Sequence, residues 1–151
     1  MIRKDRLCGA VILLLSLVIA SQVFAQEDVI EKRRVLMEQE NDANVKTLVK
    51  AVKDKNFTEV ELKAKSIVAN MDNLPKLFPK GSVSEKSRAK AEIWEKWDEF
   101  TKDTETVKKA AQALADAAKT KDEDGVNTKM KALGDGCTSC HRSFRGPRKS
   151  G

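Results

Sequence analysis

Cys137-Thr138-Ser139-Cys140-His141, close to the C-terminal end of a 151-residue chain, is the stretch from which the rest of the sequence is read. It has the pattern C-x-x-C-H, the attachment motif of a c-type haem. Two thiols one helical turn apart can add to the two vinyl groups of one porphyrin and form thioethers. The imidazole on the next residue is then held beneath the iron, and a proximal histidine is a common axial ligand in haem proteins. His141 is the only histidine in the sequence, so no other imidazole competes for the metal.

Three plainer readings of the motif compete with this one. A thioredoxin-like redox pair expects a βαβ setting, and no such pattern is visible. A structural zinc site usually takes four Cys or His ligands. Once the N-terminal segment is removed, only Cys137, Cys140 and His141 remain. A disulfide between positions i and i+3 within one helix is geometrically awkward. The haem reading therefore leads, with one haem c and one iron per chain as the expected cofactor.

Residues 1–25 read as a signal peptide. Arg3, Lys4 and Arg6 form a basic start, Leu7 to Ala20 is an apolar run, and Val23-Phe24-Ala25 supplies a cleavage site after Ala25. The apolar run is short for a membrane anchor. Cys8 is discarded with it. The mature domain is then 26–151, one domain by length, and it is expected in the periplasm with no membrane association after cleavage. Export and C-x-x-C-H support each other, because apocytochromes c receive their haem outside the cytoplasm.

The chain carries 29 Lys and Arg against 23 Asp and Glu, a formal net charge of +6. Removal of Arg3, Lys4, Arg6 and Asp5 leaves 26 against 22, or +4. No aromatic residues are interleaved with a basic patch, so nucleic-acid binding is not expected. Transient protein redox partners with acidic surfaces suit this mild excess of positive charge.

The mature sequence shows four amphipathic helical patterns and no strand pattern. The first runs from about Asp28 to Asp54, with Ile30, Met37, Val45, Leu48 and Val52 on its apolar side. Asn56-Phe57 is a break, and Thr58 with Glu61 reads as a capping box for the second helix. Its buried stripe is Val60, Ala64, Ile67, Val68 and Met71. Leu74-Pro75-Lys76-Leu77-Phe78-Pro79-Lys80-Gly81 stops helix propagation, and Leu77 and Phe78 suggest that this loop folds over the core. The third helix is expected to begin near Ser84 to Ser87 and to reach about Lys119. Its seam is Ile93, Trp97, Phe100, Thr104, Val107, Ala111, Leu114 and Ala118, in steps of four and three. Lys119 to Gly125 reads as a charged turn. The fourth helix places Val126, Met130, Leu133, Cys137, Cys140 and Phe144 on one face, which sets the haem motif in its buried stripe. Four such helices predict an all-α, antiparallel up-down-up-down bundle around a covalently bound haem.

The face of the iron opposite His141 would decide the function. Met130 is roughly 16 Å along the same helix and is excluded by helical rise. Met37 lies about 14 Å from the start of the first helix and His141 about 6 Å from the end of the fourth, so an antiparallel bundle brings them to the same third. Met71 also falls at that end, and spacing alone leaves Met37, Met71 and an open face as alternatives. Methionine is also an ordinary filler of cores.

At this point the chain resembles a known family, the class II cytochromes c, which comprise cytochrome c′ and its low-spin relatives. The resemblance covers residues 27–147. It is carried by Cys137-Thr138-Ser139-Cys140-His141-Arg142-Ser143-Phe144-Arg145, Leu74-Pro75-Lys76-Leu77-Phe78-Pro79, Ile93-Trp94 and Arg33-Arg34-Val35-Leu36-Met37. It implies thioethers at Cys137 and Cys140 and proximal ligation by His141. Position 37 matches the site that is methionine in the low-spin members, which implies Met37 as second axial ligand. Arg33, one turn earlier, would meet a haem propionate through its two-pronged guanidinium; a solvated surface charge is the plain alternative. Family members include monomers and homodimers, and both stay open here.

The function expected from these readings is electron transfer by a periplasmic His/Met-ligated low-spin haem, with no substrate and no enzymatic turnover. The alternative is a five-coordinate cytochrome c′ that binds small gases such as nitric oxide or carbon monoxide.

Overall fold

The computed structural model describes residues 27–85 and 87–147, and the signal-peptide reading of 1–25 lies outside them. Four long helices run antiparallel, as expected. Helix α1 spans 27–53, helix α2 Phe57–Asn73, helix α3 Trp97–Lys119 and helix α4 Glu123–Phe144. Helix α1 has an internal change of pitch: 27–34 is α-helical, Val35–Asn41 is a π turn, and Asp42–Lys53 is α-helical again.

The two short connections are built alike. Lys55 at φ 53° and Lys121 at φ 57° take the left-handed conformation that ends α1 and α3. Each is followed by a cap. Asn56 accepts from the Glu59 N–H at 3.2 Å, and Asp122 Oδ1 accepts from the Gly125 N–H at 3.0 Å. Such caps satisfy amides that have no partner in the first turn and contribute about 1 kcal/mol each. The expected Thr58–Glu61 capping box is therefore corrected: Asn56 performs the capping two residues earlier. Lys55 also pairs with Glu123 at 2.8 Å, which fixes the end of α1 beside the start of α4.

The α2–α3 connection is the long one. Leu74–Leu77 forms a 3₁₀ turn, and Glu92–Glu95 forms a single α turn before α3. The expectation that the third helix starts near Ser84 is corrected to Trp97. Lys96, at φ −119° and ψ 47°, breaks the helical path. The preceding segment is drawn into an extended run against the end of α4: Lys90 N–H donates to Phe144 O at 3.0 Å and Gly146 N–H to Arg88 O at 2.7 Å. Leu74 and Phe78 are buried, so this loop does fold over the core.

The core follows the predicted stripes of α2 to α4, with Val60, Ala64, Ile67, Phe100, Val107, Leu114, Val126 and Leu133 buried. Trp97 is the exception in the α3 seam at 36 % exposed. Helix α2 packs along α3, α3 along α4, and α1 along α2. The fourth seam is different, because α1 and α4 make almost no close backbone contact. The bundle is closed on three sides, and its fourth side is where the cavities lie.

Among the described residues no helix is long and apolar enough to cross a membrane.

Candidate functional site

Two adjoining cavities open between α1, α3 and α4, of about 470 and 390 Å³. Both fall within the range of ordinary cofactor pockets. They share Met37, Asp42, Leu74, Cys140, His141 and Arg145 as walls. The first also reaches Arg33, Phe78 and Phe144, and the second reaches Cys137, Asn41 and Met71. The structure thus brings together Cys137, Cys140, His141, Met37 and Arg33, residues that the sequence separates by more than 100 positions. Met71 borders the second cavity only, and Met130 borders neither.

Cys137 and Cys140 are free thiols in α4. Burial pushes both upward in pKa, Cys140 to about 12 with help from Asp103 and Cys137. No disulfide joins them in the structure. Among the described residues no three His, Cys, Asp or Glu side chains converge as a metal cage would. His141 is pulled down to about 4, first by burial and then by the Arg145 cation, with Asp42 acting in the opposite sense. Its ring is neutral at pH 7, the form that can offer a nitrogen lone pair to a metal.

Arg33 is buried on the apolar side of α1, at 3 % exposure. Its Nη1 donates to Ser82 Oγ at 3.0 Å and its Nη2 to Ser82 O at 2.7 Å. The guanidinium lies 4.8 Å from the Phe78 ring centre and 5.9 Å from that of Trp94. Trp94 in turn donates through Nε1 to Phe78 O and Pro79 O, which pins the loop above it. Burial lowers the Arg33 pKa to about 10, so the cation persists at neutral pH. Its Nε is buried without a hydrogen-bond partner. A buried N–H on a cation rarely stays unpaired, and Arg33 is one of the residues that line the first cavity. The alternative of a solvated surface arginine is thus excluded.

Met37 lies one turn after Arg33 on α1, where its Sδ accepts a hydrogen bond from Asn41 Nδ2 at 3.3 Å. Asn41 Oδ1 accepts from Asn70 Nδ2 at 3.0 Å. The sequence reading missed Asn41 altogether. The available signal was a polar residue standing in an apolar stripe: Ile30, Arg33, Met37 and Asn41 follow at steps of three and four.

This donor set fits a haem c. Two adjacent thiols on one helix, a neutral imidazole on the next residue and an orphaned guanidinium N–H are what thioether attachment, axial ligation and propionate pairing require. A four-helix bundle with this site at the end of its last helix defines a class of small haem proteins. The family profile of cytochrome c′ matches residues 28–145, and the chain belongs to the cytochrome c′ family. Its cofactor is covalently attached haem c.

The relatives include cytochromes c′ and cytochromes c-556. Cytochrome c′ of Rhodospirillum rubrum is 39 % identical over 83 residues, 54 % of this chain and 56 % of the relative, so that match spans about half of its length. Cytochrome c-556 of Rhodopseudomonas palustris is 31 % identical over 96 % of this chain and 97 % of its own. A solved cytochrome c′ with ligand-controlled dimer dissociation superposes with a TM-score of 0.74 at 26 % identity, over 81 % of this chain and 97 % of that one.

These findings correct the function expected from sequence. A His/Met-ligated low-spin carrier was the leading expectation and gas binding the alternative. The family profile and the cytochrome c′ relatives support the alternative instead.

Proposed function

We propose that this protein is a five-coordinate cytochrome c′ of the periplasm that binds small diatomic gases, nitric oxide and carbon monoxide among them, at its haem iron. The observation that carries the reading is the pair of cavities that both His141 and Met37 border, which leaves room for a small ligand beside the haem. Cys137 and Cys140 would hold the porphyrin through thioethers, and His141 would ligate the iron from the α4 side. Arg33 would offer its orphaned Nε to a propionate.

When bound, the haem supplies a Lewis-acidic iron whose open face takes a neutral gas. The chain's own residues do the rest. Helix α4 fixes thiols and imidazole in one rigid frame. The Phe78, Phe100 and Phe144 cluster, with ring centres 4.9 and 5.4 Å apart, walls the site against water. Met37 screens the distal side. On this reading the protein turns over no substrate. A second copy of the chain as partner is favoured by the dimer in the name of its solved relative, and the signal-peptide pattern in 1–25 favours the periplasm.

Absorption spectra of the purified haem-loaded protein test this. The ferrous form should show a broad high-spin band that shifts with carbon monoxide. A sharp low-spin α band unaffected by the gas would sink the reading.

A further inference from the structure

The chain has no tyrosine and two tryptophans, Trp94 and Trp97. Each stands one phenyl ring from the first cavity, which Phe78 and Phe100 both line. Trp94 lies 6.2 Å from Phe78 and Trp97 lies 5.5 Å from Phe100, measured between ring centres. Phe100 is buried, whereas Trp97 is 36 % exposed. A continuous ring contact therefore runs from the cavity wall through Phe100 to solvent at the start of α3.

The two indoles differ in their surroundings. Trp94 has the Arg33 guanidinium 5.9 Å from its ring centre. An electron-rich ring attracts a cation, but removing an electron from that ring would set two positive charges against each other. The Trp94 N–H is also committed, since it donates to Phe78 O at 3.2 Å and Pro79 O at 2.9 Å. No cation lies over the Trp97 ring among the described residues, and water reaches it to take a proton. An indole gives up an electron far more readily than a phenyl ring. Phe100 is then a path for charge, and Trp97 is where the charge settles.

We propose that Trp97 is the oxidation site of this protein: it supplies electrons across Phe100 when hydrogen peroxide is reduced at the haem. This rests on the open iron face of the gas-binding reading above. Two electrons leave Trp97, and with two protons they break the O–O bond of one peroxide and turn it into two waters. A water oxygen bonds to the oxidised indole, which releases two protons in exchange. Overall one indole C–H becomes C–OH and one water remains. The indole thereby spares Met37 and Met71, thioethers in the cavity walls that oxidation to the sulfoxide would make polar.

The test uses the full haem-loaded protein in oxygen-free water labelled with heavy oxygen, with equimolar hydrogen peroxide, followed by mass mapping of peptides. Label should appear at Trp97 and not at Trp94. F100L, checked for wild-type haem absorption, should lower the label at Trp97 several-fold. W97F should form methionine sulfoxide at Met37 or Met71, or lose haem absorption, several-fold faster than wild type. Free tryptophan added to the solution should stay unlabelled. Label at Trp94 ahead of Trp97, or at neither in a protein with a high-spin spectrum, overturns this proposal alone. Equal labelling of free tryptophan also overturns it, since a diffusing oxidant would then be the agent. So does undiminished label in F100L, or a W97F protein that withstands peroxide as well as wild type. A low-spin wild type, seen before peroxide is added, sinks the gas-binding reading and this proposal with it.

Discussion

Arg33 on α1 holds Ser82, 49 positions later, by two hydrogen bonds from one guanidinium. The contact fastens the long connection over the mouth of the cavity, and Phe78 and Trp94 stack around the same cation. One buried charge therefore organises a segment that has little regular structure of its own.

Replacing Arg33 by Leu should cost about 2–3 kcal/mol, the magnitude expected when hydrogen bonds to a buried charged group are lost. The folded-state pKa of about 10 lies well below the ordinary guanidinium value. A cation with a lowered pKa releases its proton sooner in the folded chain, so it adds stability only as pH rises through about 10. Below that value both states carry the proton, and the group contributes no slope. Urea unfolding of wild type and R33L should thus differ by a constant amount from pH 6 to 9. A gap that widens or closes across this range contradicts the assignment.

Cys137→Ser with Cys140→Ser removes both attachment points. The mature variant should weigh only its polypeptide, whereas wild type should carry the mass of one haem. Loss of a ligand that binds only the folded state lowers stability by mass action. The variant should therefore unfold at lower urea and show weaker helical circular dichroism. Either single serine variant should keep one thioether and stay coloured.

Gly134 and Gly136 flank the motif within α4 but should respond in opposite ways. A Cβ at Gly134 would meet nothing within 4 Å, so Gly134→Ala should stabilise by about 0.5–1 kcal/mol through helix propensity. A Cβ at Gly136 already lies 3.4 Å from Val107 Cγ2. Gly136→Leu should force α4 from α3 and destabilise by about 1–3 kcal/mol. Urea midpoints with unchanged slopes would check both.

Much of the architecture was legible because apolar residues repeat at helical spacing. The α3 seam from Phe100 to Ala118 and the α4 face from Val126 to Phe144 were read nearly residue by residue. The start of α3 was not, because residues 88–90 are compatible with a helix locally and are pulled extended by bonds to Phe144 and Gly146, over 50 positions away. The attachment motif is local in sequence and was legible for that reason. Asn41 follows Met37 at an ordinary helical step of four and was passed over because a polar side chain does not register in an apolar stripe. Arg33 was singled out only through the resemblance, with a solvated surface charge as the alternative; its burial depends on Ser82, Phe78 and Trp94, none of them near in sequence.

The thin seam between α1 and α4 has a bearing on the life history of the protein. A chain exported without porphyrin would have one flank unsupported, and proteases of its compartment would find it there. The amount of protein that accumulates should then follow porphyrin supply more closely than gene expression, which a pulse-chase in cells starved of haem would reveal.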